Sequence, residues 1–435
     1  MNYNINILEN NFWLKDMLEK FTKQIKDNFS LLVFSFAIAL LPAFSFGKIT
    51  TGKIIEIRAE DALLFVFGIF WIISFLISKK TKIKIPPLFY IILTLSSVGF
   101  LSVLINLALK NIYPDWAFFY FLKEIEIFFL FFYFIYRIKN LEQAKFLVKT
   151  WLFLAFINFL YILHQIKTGT QAGEYGTAAL SESGVFPTGA FFLLLFVFLF
   201  SVFLHYFYNL NMSPFKKIII ACFVVLPILG VFGSGYKTNF LGLFFALFIM
   251  IFLSILKKKN LKFFLFSLLA LVLVLFILVY AANKINYAYR VFHAFSSQEI
   301  VRSFEAGRLG VIMENVNDFL MKLNPLSFLL GLGVGSVGET HNQFLRNFVE
   351  TGLLGSIIFL FLIFTILKTS FLEFFRNKDN FTSGLCLGLF SATMAMLFFS
   401  IVTEPFLTVK PSEIYWIFCA ITMACISLEK KYEKI

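Results

Sequence analysis

The chain has little of what a soluble enzyme is built from. Of its 435 residues only 14% are charged, and it has four cysteines, four histidines and ten prolines. Each scarcity excludes something. A surface in water needs about a quarter of residues charged, so this composition cannot solvate a globule. Cys222, Cys386, Cys419 and Cys425 all fall inside apolar stretches, with no spacing suited to a disulfide or a metal, and read as packing residues. His164, His205, His293 and His341 show no ligand spacing among themselves, so no metal site is expected. Internal repeats are not apparent, and no polar linker divides the chain.

What is present is apolar bulk. Hydrophobic residues make up 60% of the chain, with 64 phenylalanines, and the mean hydropathy is +0.85. The expected fold class is therefore all-α, a polytopic membrane protein. Runs of about 20 apolar residues, the length that crosses a bilayer, are read at 29–47, 61–78, 85–109, 114–136, 146–166, 188–208, 216–233, 239–256, 261–282, 341–367, 380–402 and 411–428, about twelve spans. Ahead of them Trp13, Met17, Phe21 and Ile25 recur at helical spacing among Lys and Asp, which predicts an amphipathic segment, 1–28, lying on the cytoplasmic leaflet before the membrane domain 29–435. That segment has no signal-peptide pattern.

Lysine and arginine set the orientation, because positive charge is retained in the cytoplasm. With the N-terminus inside, the cytoplasmic segments carry 24 of these residues and the opposite side 12. Both termini are expected in the cytoplasm. The net charge of +13 is then mostly this bias, with attraction to anionic headgroups added, and implies membrane lipids as partners but no nucleic acid.

One large excursion, loop 283–340, joins the ninth and tenth spans on the outer side. Within it Leu309, Ile312, Val316, Phe319 and Leu323 predict an amphipathic helix, ended by Asn324-Pro325 and begun beside Arg308. Gly331, Gly333, Gly335 and Gly338 follow, a run that permits tight turns and close approach to a ligand. The chain then enters the membrane at His341-Asn342, and after nine residues comes Gly352-Leu-Leu-Gly355. Asn342 suits a helix cap, while histidine is the side chain best suited to take a proton near neutral pH. Capping and chemistry both remain open for this pair.

Asn342, Arg346 and Glu350, at i, i+4 and i+8, form a polar stripe on an apolar helix, where Arg346 and Glu350 can pair and hold His341 indirectly. Gly352 and Gly355 would allow close helix contact one turn later. In the turn Gly233-Ser-Gly-Tyr236-Lys237-Thr-Asn239, Lys237 is either an interfacial lysine or a phosphate ligand. Lys123, Glu124 and Glu126 charge the fourth span, and local pairing of Lys123 with Glu126 is expected.

Together these features resemble the O-antigen ligase and polymerase superfamily of bacterial inner-membrane glycosyltransferases. The likeness covers the twelve-span plan, the place of the large periplasmic loop, Ala306-Gly307-Arg308 ahead of an amphipathic helix, Asn324-Pro325, Gly331-Leu-Gly333-Val-Gly335, the His341-Asn342 to Gly352-Leu-Leu-Gly355 spacing, and Arg58-Ala-Glu-Asp61 before the second span. The resemblance implies an undecaprenyl-diphosphate-linked glycan as donor, lipid A core or another glycan as acceptor, and neither cofactor nor metal. By position, Arg308 would bind the donor diphosphate and His341 would activate or position the acceptor hydroxyl. Lys237 stands where the family places an arginine, and offers a point charge instead of a bidentate fork. An O-antigen or exopolysaccharide polymerase and a protein O-oligosaccharyltransferase of the same superfamily are the alternatives. A lipid-linked oligosaccharide flippase is a third, although it predicts internal repeats and polar residues at the midplane.

Overall fold

The structure, a computed structural model, describes residues 2–41, 43–48, 54–77, 88–168, 185–206, 211–234, 236–258, 309–337 and 340–432. A bilayer offers backbone groups no water to bond, so a spanning chain must satisfy them within itself, and helices do this. Helices α1 (Asn2–Leu40), α2 (Ala59–Ile77), α3 (Leu88–Ala108), α4 (Pro114–Arg137), α5 (Leu141–Thr168), α6 (Val185–His205), α7 (Pro214–Gly233), α8 (Lys237–Lys258), α9 (Leu309–Met321), α10 (Pro325–Leu330), α11 (Gln343–Arg376), α12 (Asn380–Ser400) and α13 (Val409–Tyr432) follow in order. Eight of these, α3, α5 to α8 and α11 to α13, are long and apolar enough to cross a membrane. The chain is a helical, polytopic membrane protein. α1, α2 and α4 stand at three further expected positions, while the stretch 261–282 lies outside the described residues.

Two local expectations change. α1 runs without interruption through residue 28, so the amphipathic segment and the first apolar run share one helix. It stops at Leu40, ahead of Pro42, whose ring and missing N–H oppose helix in the residue before it. The run 29–47 therefore ends early, and Ala43–Lys48 forms strand β1, paired antiparallel with β2 (Ile54–Arg58) so that Phe44 faces Ile57 in register. The signal was present: Phe44-Ser45-Phe46 and Ile55-Glu56-Ile57 alternate with period two. This hairpin is an exception to the all-α expectation.

The bundle is layered around α6, whose apolar window is 94% buried, with α13 at 89% and α12 at 78%. α7 lies at the periphery, at 28%. α12 crosses α6 closely because Gly384 and Gly388, one turn apart, leave no side chain between the backbones; a Cβ at Gly388 would come 2.4 Å from Ser201 Oγ. Polar pairs tie each of these helices to another neighbour: His205 Nε2 of α6 lies 3.2 Å from Ser254 Oγ of α8, and Thr393 Oγ1 of α12 lies 2.9 Å from the Tyr415 hydroxyl of α13. α11 packs on α3 and α12, and α13 packs on α4.

α11 is two helices that meet at a kink, broken at Gly352 (φ 67°, ψ −165°). The break frees carbonyls that a continuous helix would use. The glycine turn after α10 supplies their partners: Leu332 N–H donates to Val349 O at 2.7 Å and Gly333 N–H to Glu350 O at 3.0 Å, while the Ser102 hydroxyl of α3 also donates to Glu350 O at 2.9 Å. Asn106 of α3 in turn donates to Gly331 O at 3.1 Å. The expected glycine run thus turns tightly, and what it approaches is the broken helix. Gly331 (φ 78°) and Gly352 face each other backbone to backbone; a Cβ on Gly352 would lie 2.4 Å from the Leu329 carbonyl, and one on Gly331 equally close to that of Glu350.

Gly352→Ala should therefore destabilise the protein severely, by about 3 kcal/mol or more, from positive φ and overlap together. Gly310→Ala is the control, because a Cβ there meets nothing within 4 Å. Thermal unfolding in detergent checks this, and equal midpoints for the two variants would contradict the role given to the break.

Candidate functional site

Above the break, α11 begins with a cap. Asn342 is its N-cap, with φ −152° and a side-chain oxygen that accepts from Leu345 N–H at 2.9 Å; its amide donates to Ile401 O at 3.0 Å. His341 stands immediately before the cap at φ 53°, in the left-handed region that a histidine rarely occupies. Such a residue costs of order 1–3 kcal/mol and persists where its surroundings over-determine it. Here the determinant is Glu404, from the turn between α12 and α13. Its Oε1 accepts from Thr340 N–H at 2.5 Å and His341 N–H at 3.1 Å, and the Thr340 hydroxyl lies 2.7 Å away.

The imidazole itself makes no hydrogen bond among the described residues and is partly exposed. Capping therefore falls to Asn342, and the His341 side chain stays available.

Arg346 lies beneath, 5% exposed, between two carboxylates. Its Nη1 pairs with Glu404 Oε2, and its Nε lies 3.1 Å from Glu350 Oε1. The same Glu350 oxygen accepts from Gly335 N–H at 3.0 Å, and Gly335 O accepts from the Trp116 indole of α4 at 2.5 Å. The guanidinium also stacks on Tyr120, 5.4 Å from the ring centroid. One cation so joins α4, the glycine turn, α11 and the α12–α13 turn. With two carboxylates on it, Arg346 has no net positive charge to offer an anionic ligand.

An anionic ligand would have to use other cations. Arg308 lies outside the described residues, as do Arg290 and Arg302. Lys237 is the first residue of α8, and its side chain lies outside the described parts. Contacts further along place this helix end in the bundle. Gly242 meets the Phe399 ring near the end of α12, and Ile401, just beyond, bonds Asn342. Phe186, at the start of α6, contacts both Tyr236 and Phe399. The start of α8 and His341 therefore share one end of the bundle.

Gly352 breaks α11, which is different work from the helix contact expected of it. Gly355 lies one turn on, where a Cβ would come 2.1 Å from Thr351 Oγ1 of the same helix. In α4, Lys123 reaches Glu126 at 3.1 Å and also pairs with Asp61 of α2, so the Arg58-Ala-Glu-Asp61 stretch contributes an ion pair. Sequence reasoning missed Glu404, Tyr120 and Trp116. Only Glu404 left a trace, as a lone acid in a short link between two apolar runs, and its partners stand about sixty residues away in sequence.

Compared with known proteins, the chain matches no family model and no curated protein.

Arg346→Met would leave Glu350 and Glu404 buried without their shared cation, a loss of about 3–5 kcal/mol for such a pair. Glu404→Gln keeps the shape of the acceptor and should cost less. The double variant should be more stable than the two single effects summed, by over about 1 kcal/mol; strict additivity in detergent unfolding would contradict the network.

Proposed function

We propose that the chain is an O-antigen ligase-type glycosyltransferase, moving a glycan from an undecaprenyl-diphosphate carrier to lipid A core, with its site on the periplasmic face of a bacterial inner membrane and both termini in the cytoplasm. The observation that carries this is His341: a histidine held at positive φ by Glu404, its imidazole without a hydrogen bond among the described residues, at the mouth of a membrane helix. The motif resemblance supplies the substrate class.

In this mechanism the His341 imidazole accepts the proton of the acceptor hydroxyl. The oxygen attacks the anomeric carbon, the bond from that carbon to the diphosphate oxygen breaks, and the electron pair leaves with the diphosphate. Arg308 and Lys237 stabilise the charge that develops there. Attack opposite the leaving group inverts the anomeric configuration. Glu404 and Arg346 are positioning residues in this scheme, and Asn342, Glu350, Gly352 and Gly355 build the frame. No metal or cofactor enters any step.

The test is glycan transfer by purified protein given an undecaprenyl-diphosphate oligosaccharide, with and without lipid A core. Wild type should label the core, with product of inverted configuration, and His341→Ala and Arg308→Ala should each reduce the rate by at least about 100-fold, the usual worth of a general base or a charge-stabilising group. Lengthening of the lipid-linked chain without core would make the protein a polymerase. Transfer to a protein hydroxyl would make it a protein O-oligosaccharyltransferase. Movement of the donor across vesicles without transfer would make it a flippase.

A further inference from the structure

α11 is longer than a bilayer is thick. Its 34 residues rise about 51 Å, against a hydrocarbon layer of about 30 Å, so one end must project. Exposed apolar side chains identify that end. They run from Leu354 through Ile357, Phe361 and Phe364 to Leu372, about 28 Å of helix, while no residue of 343–353 is exposed. The lipid-facing band of α11 therefore begins just past the break at Gly352.

α3 gives the same level independently. Its exposed apolar residues run from Tyr90 to Leu109, and exposed Lys110 and Asn111 end the run. Asn106, one turn before Lys110, is the residue that donates to Gly331 O. Two helices so place the turn 331–333, and α10 leading into it, at the edge of the hydrocarbon layer.

α10 and the end of α9 are not clad for water. Leu320, Met321, Leu323, Leu326, Phe328 and Leu329 are all exposed, six apolar side chains within ten residues. Such a contiguous patch marks a surface that something apolar covers. Protein fixes only the inner side: Phe319 is buried with Leu332 and Val349, and the rings of Phe319 and Phe328 meet Phe348 at 5.3 and 5.9 Å.

α9 divides its surface in three. At 100° per residue, buried Phe319 shares a side with half-buried Ile312 and Val316. Exposed, apolar Met313 and Leu320 lie next to them, and exposed, polar Asn317 and Glu314 come beyond. Protein, apolar and polar sectors in that order suit a helix lying in the membrane plane beside a bundle.

We propose that α9 and α10 lie in the interfacial layer of the bilayer at the level of the Gly352 break, with Met313, Leu320, Leu323 and Leu326 inserted among the acyl chains. The occupant is lipid because the patch continues, at the same level, the lipid-facing band that starts at Leu354. Glu314 and Lys322, the exposed charges among the described side chains of 309–330, are opposite in sign, so insertion is apolar and independent of anionic headgroups. The membrane thus backs the turn that completes the broken helix. This holds whatever reaction the protein catalyses.

The experiment uses the full-length chain, one copy per phosphatidylcholine nanodisc, with exposed Cys222 replaced by serine and the other three cysteines left buried. A nitroxide is attached at Leu320→Cys, Leu326→Cys or Asn317→Cys, and its collisions are measured with oxygen, which concentrates among acyl chains, and with a water-soluble nickel chelate. Labels at 320 and 326 should lose access to nickel and keep access to oxygen, whereas nickel should reach the label at 317. Adding phosphatidylglycerol should change neither result. Wild-type protein supplies a second reading that no substitution can spoil: hydroxyl radicals generated in the water should leave Met313 as unoxidised as Met250, which is buried in α8.

Nickel reaching 320 and 326 as readily as 317, or Met313 oxidised well beyond Met250, would put these helices in water and overturn the proposal. Shielding of 320 and 326 from both reagents would mean a cover of protein, and would overturn it equally.

Discussion

Everything around the candidate site depends on how the carbonyls freed at Gly352 are satisfied. In a bilayer an unpaired carbonyl costs several kcal/mol, so a helix can break there only where protein supplies the missing donors. The turn 331–333 supplies them, and it can come close enough only because residues 331 and 352 both lack a side chain. Fixing that contact fixes the rest. Gly335 is brought to Glu350, Glu350 holds Arg346, Arg346 and the backbone of His341 share Glu404, and the upper half of α11 is locked against α3 and α4.

The membrane class and the positions of most helices were legible in the sequence, because apolar length is a local signal. So was the helical register of Asn342, Arg346 and Glu350, which periodicity alone fixes. The break at Gly352 was not legible, since a glycine inside an apolar run reads equally as a packing notch, and what distinguishes the two is a loop about twenty residues upstream folding back on it. Glu404 was hidden for a related reason. Its meaning lies in Thr340, His341 and Arg346, and no spacing rule connects residues that far apart. The hairpin β1–β2 was missed by taking apolar content before alternation. Arg308, the anion ligand expected from the motif likeness, lies outside the described residues.

A division of labour follows from the charges. Arg346 is neutralised by its two carboxylates and serves architecture. Positive charge for any anionic ligand would have to come from outside this cluster.

The span of sequence that closes the network also orders its assembly. Arg346 enters the membrane with the first half of α11, whereas Glu404 lies beyond α12 and is synthesised later. Until that turn emerges and docks, the arginine has Glu350 and the Tyr120 ring but lacks its second carboxylate, and the His341 N–H lacks the Glu404 oxygen that accepts it. A nascent chain that has not yet passed its eleventh expected span therefore carries His341 and Asn342 but not the closed network around them, which forms only once Glu404 has followed.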